Sequence, residues 1–142
     1  MEAGEALARA PIFSNLDRSV LDSLARSARV HRYAAGELLV TEGDDADAFF
    51  MLCEGKAEVV KQVGQEGERV VGHLANGDFF GEMALLDGFP RSASVRAVAD
   101  CECLVLARWD FLGVMRASPD VAFGILPVLS RRLRECEDQL LP

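Results

Sequence analysis

The chain has 142 residues, half of them apolar, and a formal net charge of −8 at pH 7. That length suits one domain with a real core. The acidic balance, with no basic stretch longer than Arg131-Arg132 and nearby Arg134, excludes a nucleic-acid surface on this chain alone.

Nowhere do eighteen apolar residues run together, and the opening MEAGEALARA carries acids without a hydrophobic run of signal length. No membrane segment is expected, and the setting is expected to be cytoplasmic. Four cysteines, at positions 53, 101, 103 and 136, lack CxxC spacing, and His31 and His73 cannot complete a zinc set with such scattered partners. Free thiols and no metal are the expectation.

In chain order, residues 2–10 read as a helix that Pro11-Ile12-Phe13 interrupts, and Asn15-Leu16-Asp17 supplies capping chemistry for a second. The second helix carries apolar Val20, Leu21, Leu24 and Ala28. From Val30 the pattern changes to short apolar runs: Leu38–Val40, Phe49–Leu52, Ala57–Val63, Val70–Leu74, Val95–Val98 and Cys103–Leu106. Glycines and Asn76-Gly77 mark the turns between them. Strands so spaced predict a mainly β fold, an antiparallel jelly-roll sandwich flanked by helices. The acidic run Glu42-Gly43-Asp44-Asp45 lacks the ligand order of a calcium loop and reads as a solvated turn.

Trp109-Asp110-Phe111-Leu112 opens a helix to about Ala117, and Ser118-Pro119-Asp120 reads as the start of another that runs to the end of the chain. Along it Ala122, Leu126, Leu129, Leu133, Cys136 and Leu140 form a short heptad seam, suited either to packing on the barrel or to a homodimer. Pro127 should kink or restart this helix. The layout is one domain over 1–142, with helices in 1–30, a β-roll in 31–108 and helices in 109–142.

Between Gly77 and Ala97 lies GDFFGEMALLDGFPRSASVRA. Glu82-Met83-Ala84-Leu85-Leu86 is long enough for one or two helical turns, and Asp87-Gly88 ends it. A helix start presents unpaired N–H groups, Arg91 adds a forked cation and Ser92 a hydroxyl, which together suit a phosphate. Glu82 would repel that phosphate and instead suits a neutral hydroxyl of the same ligand. A phosphodiester beside a free ribose 2′-OH describes the 3′,5′-cyclic nucleotides.

The runs Phe80-Gly81-Glu82-Met83-Ala84-Leu85-Leu86 and Pro90-Arg91-Ser92-Ala93-Ser94-Val95 resemble the phosphate-binding cassette of the cyclic nucleotide-binding domain family. That family includes catabolite-activator-type regulators, cyclic-nucleotide-dependent kinases and gated channels. The glycine pattern Gly36-Glu37-Leu38-Leu39, Glu42-Gly43-Asp44 and Glu54-Gly55-Lys56-Ala57 is similar to the family's first-half barrel, so the resemblance covers nearly the whole chain. It implies a cassette over 79–95 in which Glu82 binds the ribose 2′-OH, Arg91 pairs with the cyclic phosphate and Ser92 donates to it. Phe80, Gly81, Met83, Ala84 and Ala93 would complete the cassette. Leu74, Met83 and Val95 are the expected apolar wall for the base, and the last helix is implied as lid and dimer element.

A sensor that binds cyclic AMP, with cyclic GMP open, and signals through its C-terminal helix is therefore the expected function, without enzymatic chemistry. A metal-dependent cupin would need three clustered histidines, and the chain has two. Two variants stay open: the sensor half of a Crp/Fnr-type transcriptional regulator, and a ligand-free interaction module of the same fold.

Overall fold

The computed structural model describes residues 3–140, without the side chains of Ala84, Arg132, Gln139 and Leu140. It resolves into two compact units, a β unit over residues 28–109 and a helical unit drawn from both ends of the chain. The β unit contains β1 (Arg29–Tyr33), β2 (Leu38–Val40), β3 (Ala48–Glu54), β4 (Ala57–Lys61), β5 (Arg69–Leu74), β6 (Phe79–Phe80), β7 (Ser94–Ala97) and β8 (Cys101–Ala107). They form two four-stranded antiparallel sheets, ordered β1-β8-β3-β6 and β2-β7-β4-β5. This is the expected jelly-roll sandwich.

Inward residues of both sheets make one core. Ala48, Phe50 and Leu52 of β3 meet Cys101, Cys103 and Val105 of β8, with Leu39, Ala57, Val95 and Ala97 from the other sheet. The alternate residues Phe49, Met51, Leu104 and Leu106 are buried too, so β3 and β8 read as continuous apolar runs rather than alternating ones. Gly55 makes the β3–β4 turn possible. Its φ is +122°, and a Cβ there would lie 2.6 Å from the Asp100 carbonyl oxygen.

The differences from expectation have local causes. β1 went unrecognised because Arg29-Val30-His31-Arg32 carries no apolar alternation. It is an exposed edge strand paired only with β8. The expected strand Ala57–Val63 stops at Lys61 because Gln62 takes a left-handed φ of 57° and its N–H donates to Glu42 Oε1 at 2.9 Å. β6 is only two residues long, too short for a periodic signal.

The helical unit holds α1 (Ala3–Ala8), α2 (Arg18–Ser27), the body of α3 (Arg108–Ala117) and α4 (Asp120–Leu140), with a 3-10 turn at Pro11–Phe13. Leu7, Ile12, Phe13, Leu24, Phe111 and Val121 are all at most 1% exposed. The Phe13 and Phe111 rings meet at 6.1 Å. The α2 start uses Asp17, whose carbonyl accepts from Leu21 N–H at 3.0 Å.

The last helix narrows two readings, each of which had two alternatives. It stays helical through Pro127, so it does not restart there. Its buried stripe is Val121, Ile125 and Val128, packed on the Pro11–Phe13 turn. The predicted seam lies one position further round. Leu126 and Leu133 are 56% and 62% exposed, Phe123 is 71% exposed, and Leu140 falls outside the described side chains. Among the described residues no single helix is long and apolar enough to cross a membrane.

Candidate functional site

β6 ends at Phe80, and the chain then turns sharply at Gly81, whose φ of +81° is left-handed. Glu82–Leu85 follows as a single 3-10 turn, shorter than the one or two helical turns expected. Leu85 is fully buried and fixes that turn against β3. Asp87 Oδ1 accepts from Phe89 N–H at 3.0 Å, which shapes the approach to Pro90 and Arg91.

These residues wall a cavity of about 360 Å³ lined by Val40, Ala46, Val59, Phe80, Gly81, Glu82, Met83, Asp87, Phe89, Pro90, Arg91, Ser92, Ala93 and Val95. Its volume lies within the range of small-molecule sites. Most of the lining is apolar, and the polar groups converge from the cassette: two carboxylates, one guanidinium and the Ser92 hydroxyl. Arg91 is the one cationic side chain among the described lining residues.

Arg91 is seated at three points, two on the segment between β2 and β3 and one on the first residue of β3. Its N–H donates to the Asp44 carbonyl at 2.8 Å, and its carbonyl accepts from Gly43 N–H at 2.9 Å. Its Nη2 donates to the Ala48 carbonyl at 2.9 Å. Desolvation lowers the guanidinium's pKa, and the negative charge of Asp47 opposes that shift. The cation persists at any ordinary pH.

Nearby polar groups are already engaged. Ser94 Oγ, buried, accepts from Glu42 N–H at 2.9 Å, so of the two cassette hydroxyls only Ser92 lines the cavity. Arg96 binds Glu58 Oε1 through Nε at 3.0 Å and Nη2 at 2.8 Å, and reaches Glu68 at 3.6 Å. That shared hydrogen bonding to Glu58 raises its pKa. Arg108 Nη2 approaches the Leu86 carbonyl at 3.4 Å, behind the cassette.

Of the residues singled out in the sequence, Phe80, Gly81, Glu82, Met83, Arg91, Ser92, Ala93 and Val95 come together on the cavity. Leu74 does not. It sits opposite Ala57 in the β4–β5 pair and packs against the sandwich core. The Ala84 side chain lies outside the described residues. Asp87, Phe89 and Pro90, within the 79–95 cassette but not singled out in it, also line the cavity, as do Val40, Ala46 and Val59 from outside the cassette. Alternation along β4 marks Val59 as sharing a face with Ala57, but alternation alone does not say that this face reaches a cavity.

The family described as "Cyclic nucleotide-binding domain" matches residues 30–118, more than half of the chain. The cyclic AMP receptor protein of Thermus thermophilus is 35% identical over 130 residues, which are 92% of this chain and 60% of that protein. A cAMP-dependent protein kinase regulatory subunit of Mycosarcoma maydis is 40% identical over 87 residues, 61% of this chain and 16% of its own length. The chain thus spans less than two thirds of these relatives. Among solved structures, the N-terminal domain of a transcriptional regulator from Streptomyces coelicolor A3(2) superposes with a TM-score of 0.86 at 29% identity, covering 96% of each chain. The regulatory domain of Toxoplasma gondii PKA with cAMP superposes with a TM-score of 0.74 at 28% identity, covering 94% of this chain and 49% of that one. Cassette, sandwich and relatives agree, and the chain belongs to the cyclic nucleotide-binding domain family.

Proposed function

We propose that the chain is a sensor for a 3′,5′-cyclic mononucleotide, with cyclic AMP as its ligand and cyclic GMP as the alternative. The observation that carries this reading is the pairing, on one cavity wall, of a single seated cation, Arg91, with the carboxylate of Glu82. Arg91 and the Ser92 hydroxyl would hold the cyclic phosphate, and Glu82 would accept from the ribose 2′-OH. Val40, Val59, Ala93 and Val95 offer an apolar surround for the base. Leu74 does not belong to it.

Binding would be passed on by the C-terminal helix through a population shift. The exposed stripe of Phe123, Leu126 and Leu133 on α4 supports a homodimer through that helix. The extent of the match to the Streptomyces regulator's N-terminal domain favours a transcriptional regulator as the downstream effector. No enzymatic step belongs to this reading.

Isothermal titration with cyclic AMP, cyclic GMP, linear AMP and 2′-deoxy cyclic AMP tests it. Cyclic AMP should bind best and linear AMP poorly. The 2′-deoxy ligand should lose about 1–3 kcal/mol, the cost of leaving Glu82 without its hydroxyl partner. In Glu82→Ala the ribose and deoxyribose ligands should bind nearly alike. Equal binding of linear and cyclic AMP, or none of either cyclic nucleotide, would defeat the proposal.

A further inference from the structure

The phosphate-facing cation is held by more than hydrogen bonds. The Arg91 Cζ lies 5.7 Å from the centroid of the Phe50 ring, within the range of a cation–π contact. Phe50 is itself fixed by its cross-strand partner Phe80, with ring centroids 4.8 Å apart and planes 5° from parallel. At Gly81 an added Cβ would lie 2.6 Å from Arg91 Nη1 and 2.8 Å from the Ala48 carbonyl oxygen. The guanidinium therefore occupies a slot with an aromatic face, a carbonyl, and a glycine where no side chain would fit.

We propose that Phe50 is a positioning residue for Arg91, its ring face carrying the guanidinium so that its unbonded edge is presented to the anionic group of the ligand. Phe50 is 6% exposed and absent from the cavity lining, so any effect it has on binding must pass through a lining neighbour, Arg91 or Phe80, and only the Arg91 route discriminates by ligand charge. The physical need is plain. A half-buried guanidinium with one carbonyl acceptor is only partly compensated for lost water, and an aromatic face restores attraction without competing for the N–H groups that a phosphate needs. A planar cation can stack in such a slot while its forked N–H groups stay free for a phosphate, which gives Arg rather than Lys a reason at position 91.

This inference rests on the cyclic-nucleotide reading, and its test separates the two. Wild type, Phe50→Met and Phe50→Tyr are titrated with cyclic AMP and with its uncharged phosphate methyl triester. Methionine comes near the volume without a ring face, and tyrosine keeps the face. Phe50→Met should weaken cyclic AMP about three- to thirty-fold while leaving the triester unchanged, and Phe50→Tyr should stay within about twofold of wild type. In the nuclear magnetic resonance spectrum, the Arg91 Nε–H signal should lose its ring-current shift in Phe50→Met and keep it in Phe50→Tyr.

Equal weakening of both ligands in Phe50→Met, or no weakening of cyclic AMP, assigns Phe50 to the core alone and overturns the proposal. A wild-type protein that binds neither ligand removes the parent reading, and the positioning role with it. Should Phe50→Met melt too low to titrate, Phe50→Leu, also without a ring face, is titrated in its place. It should produce the same selective loss of cyclic AMP, and equal loss of both ligands would again overturn the assignment.

Discussion

Arg91 carries two loads at once, and a substitution there should report both. From sequence it reads as the cation that pairs with a phosphate. The bond from Nη2 to the Ala48 carbonyl and the contact with Phe50 make it partly structural. Arg91→Glu should abolish measurable cyclic AMP binding, a loss of a hundredfold or more from ion-pair loss and new repulsion. It should also lower stability by about 1–3 kcal/mol, because a carboxylate would then face the Ala48 carbonyl with nothing to donate. Titration beside a denaturant melt checks both. Retained binding would place the phosphate elsewhere.

At this scale the sequence is most legible where chemistry is consecutive. Glu82, Arg91 and Ser92 fall within one short run and share the cavity because one turn and one loop carry them. Val40 and Val59 were not legible as lining residues because they arrive from two strands of one sheet, and sheet order is not written in local alternation. The sequence pattern puts Leu74 on the wall for the same reason. Its inward orientation is correct, but its neighbour is Ala57 and the core.

Among the elements, α4 shows how far a heptad can be read. Two adjacent apolar stripes run along this helix, Val121-Ile125-Val128 and Ala122-Leu126-Leu129-Leu133, one position apart. Spacing alone cannot choose between them, since both satisfy the same period. Burial separates their roles. Ile125, 2% exposed, should cost about 2–4 kcal/mol of stability on replacement by alanine. Leu133→Glu, on the exposed stripe, should change the melting free energy by no more than about 0.5 kcal/mol. It should weaken any dimer seen by sedimentation in the presence of cyclic nucleotide. A destabilised monomer from Leu133→Glu would show that this stripe is intramolecular.

For the molecule as a whole, alkaline stability is set in part by Cys103. Buried completely in the β3–β8 core, its thiol is pushed up to about 12, chiefly by desolvation, with the nearby Cys101 and Cys53 adding to the shift. In the unfolded chain the same thiol ionises at its ordinary pKa. The folded state therefore holds a proton that the unfolded state releases, so this stabilisation is complete below the ordinary thiol pKa. It is lost as pH rises from about 9 toward 12, at up to about 1.4 kcal/mol per pH unit. Thermal melts at pH 8 and pH 10.5 should differ more for wild type than for Cys103→Ala, after allowance for the latter's lower starting stability. Identical differences would remove Cys103 as the source. The thiol should also resist alkylation until the protein unfolds, whereas exposed Cys136 should react in the native state.

The pairing of β1 with β8 joins the first and last strands of the roll, Arg29 opposite Val105 and Tyr33 opposite Cys101. β3, which carries Ala48 and Phe50 to the Arg91 seat, also lies against β8 across its length. A nascent chain emerging from the ribosome therefore lacks the centre of one sheet until residue 107 has been made. The entire cassette is synthesised before the strand that completes its foundation. Contacts of such long sequence separation form slowly, so the binding pocket should mature only after β8 clears the exit tunnel, and ligand present during synthesis should find no receptor until then.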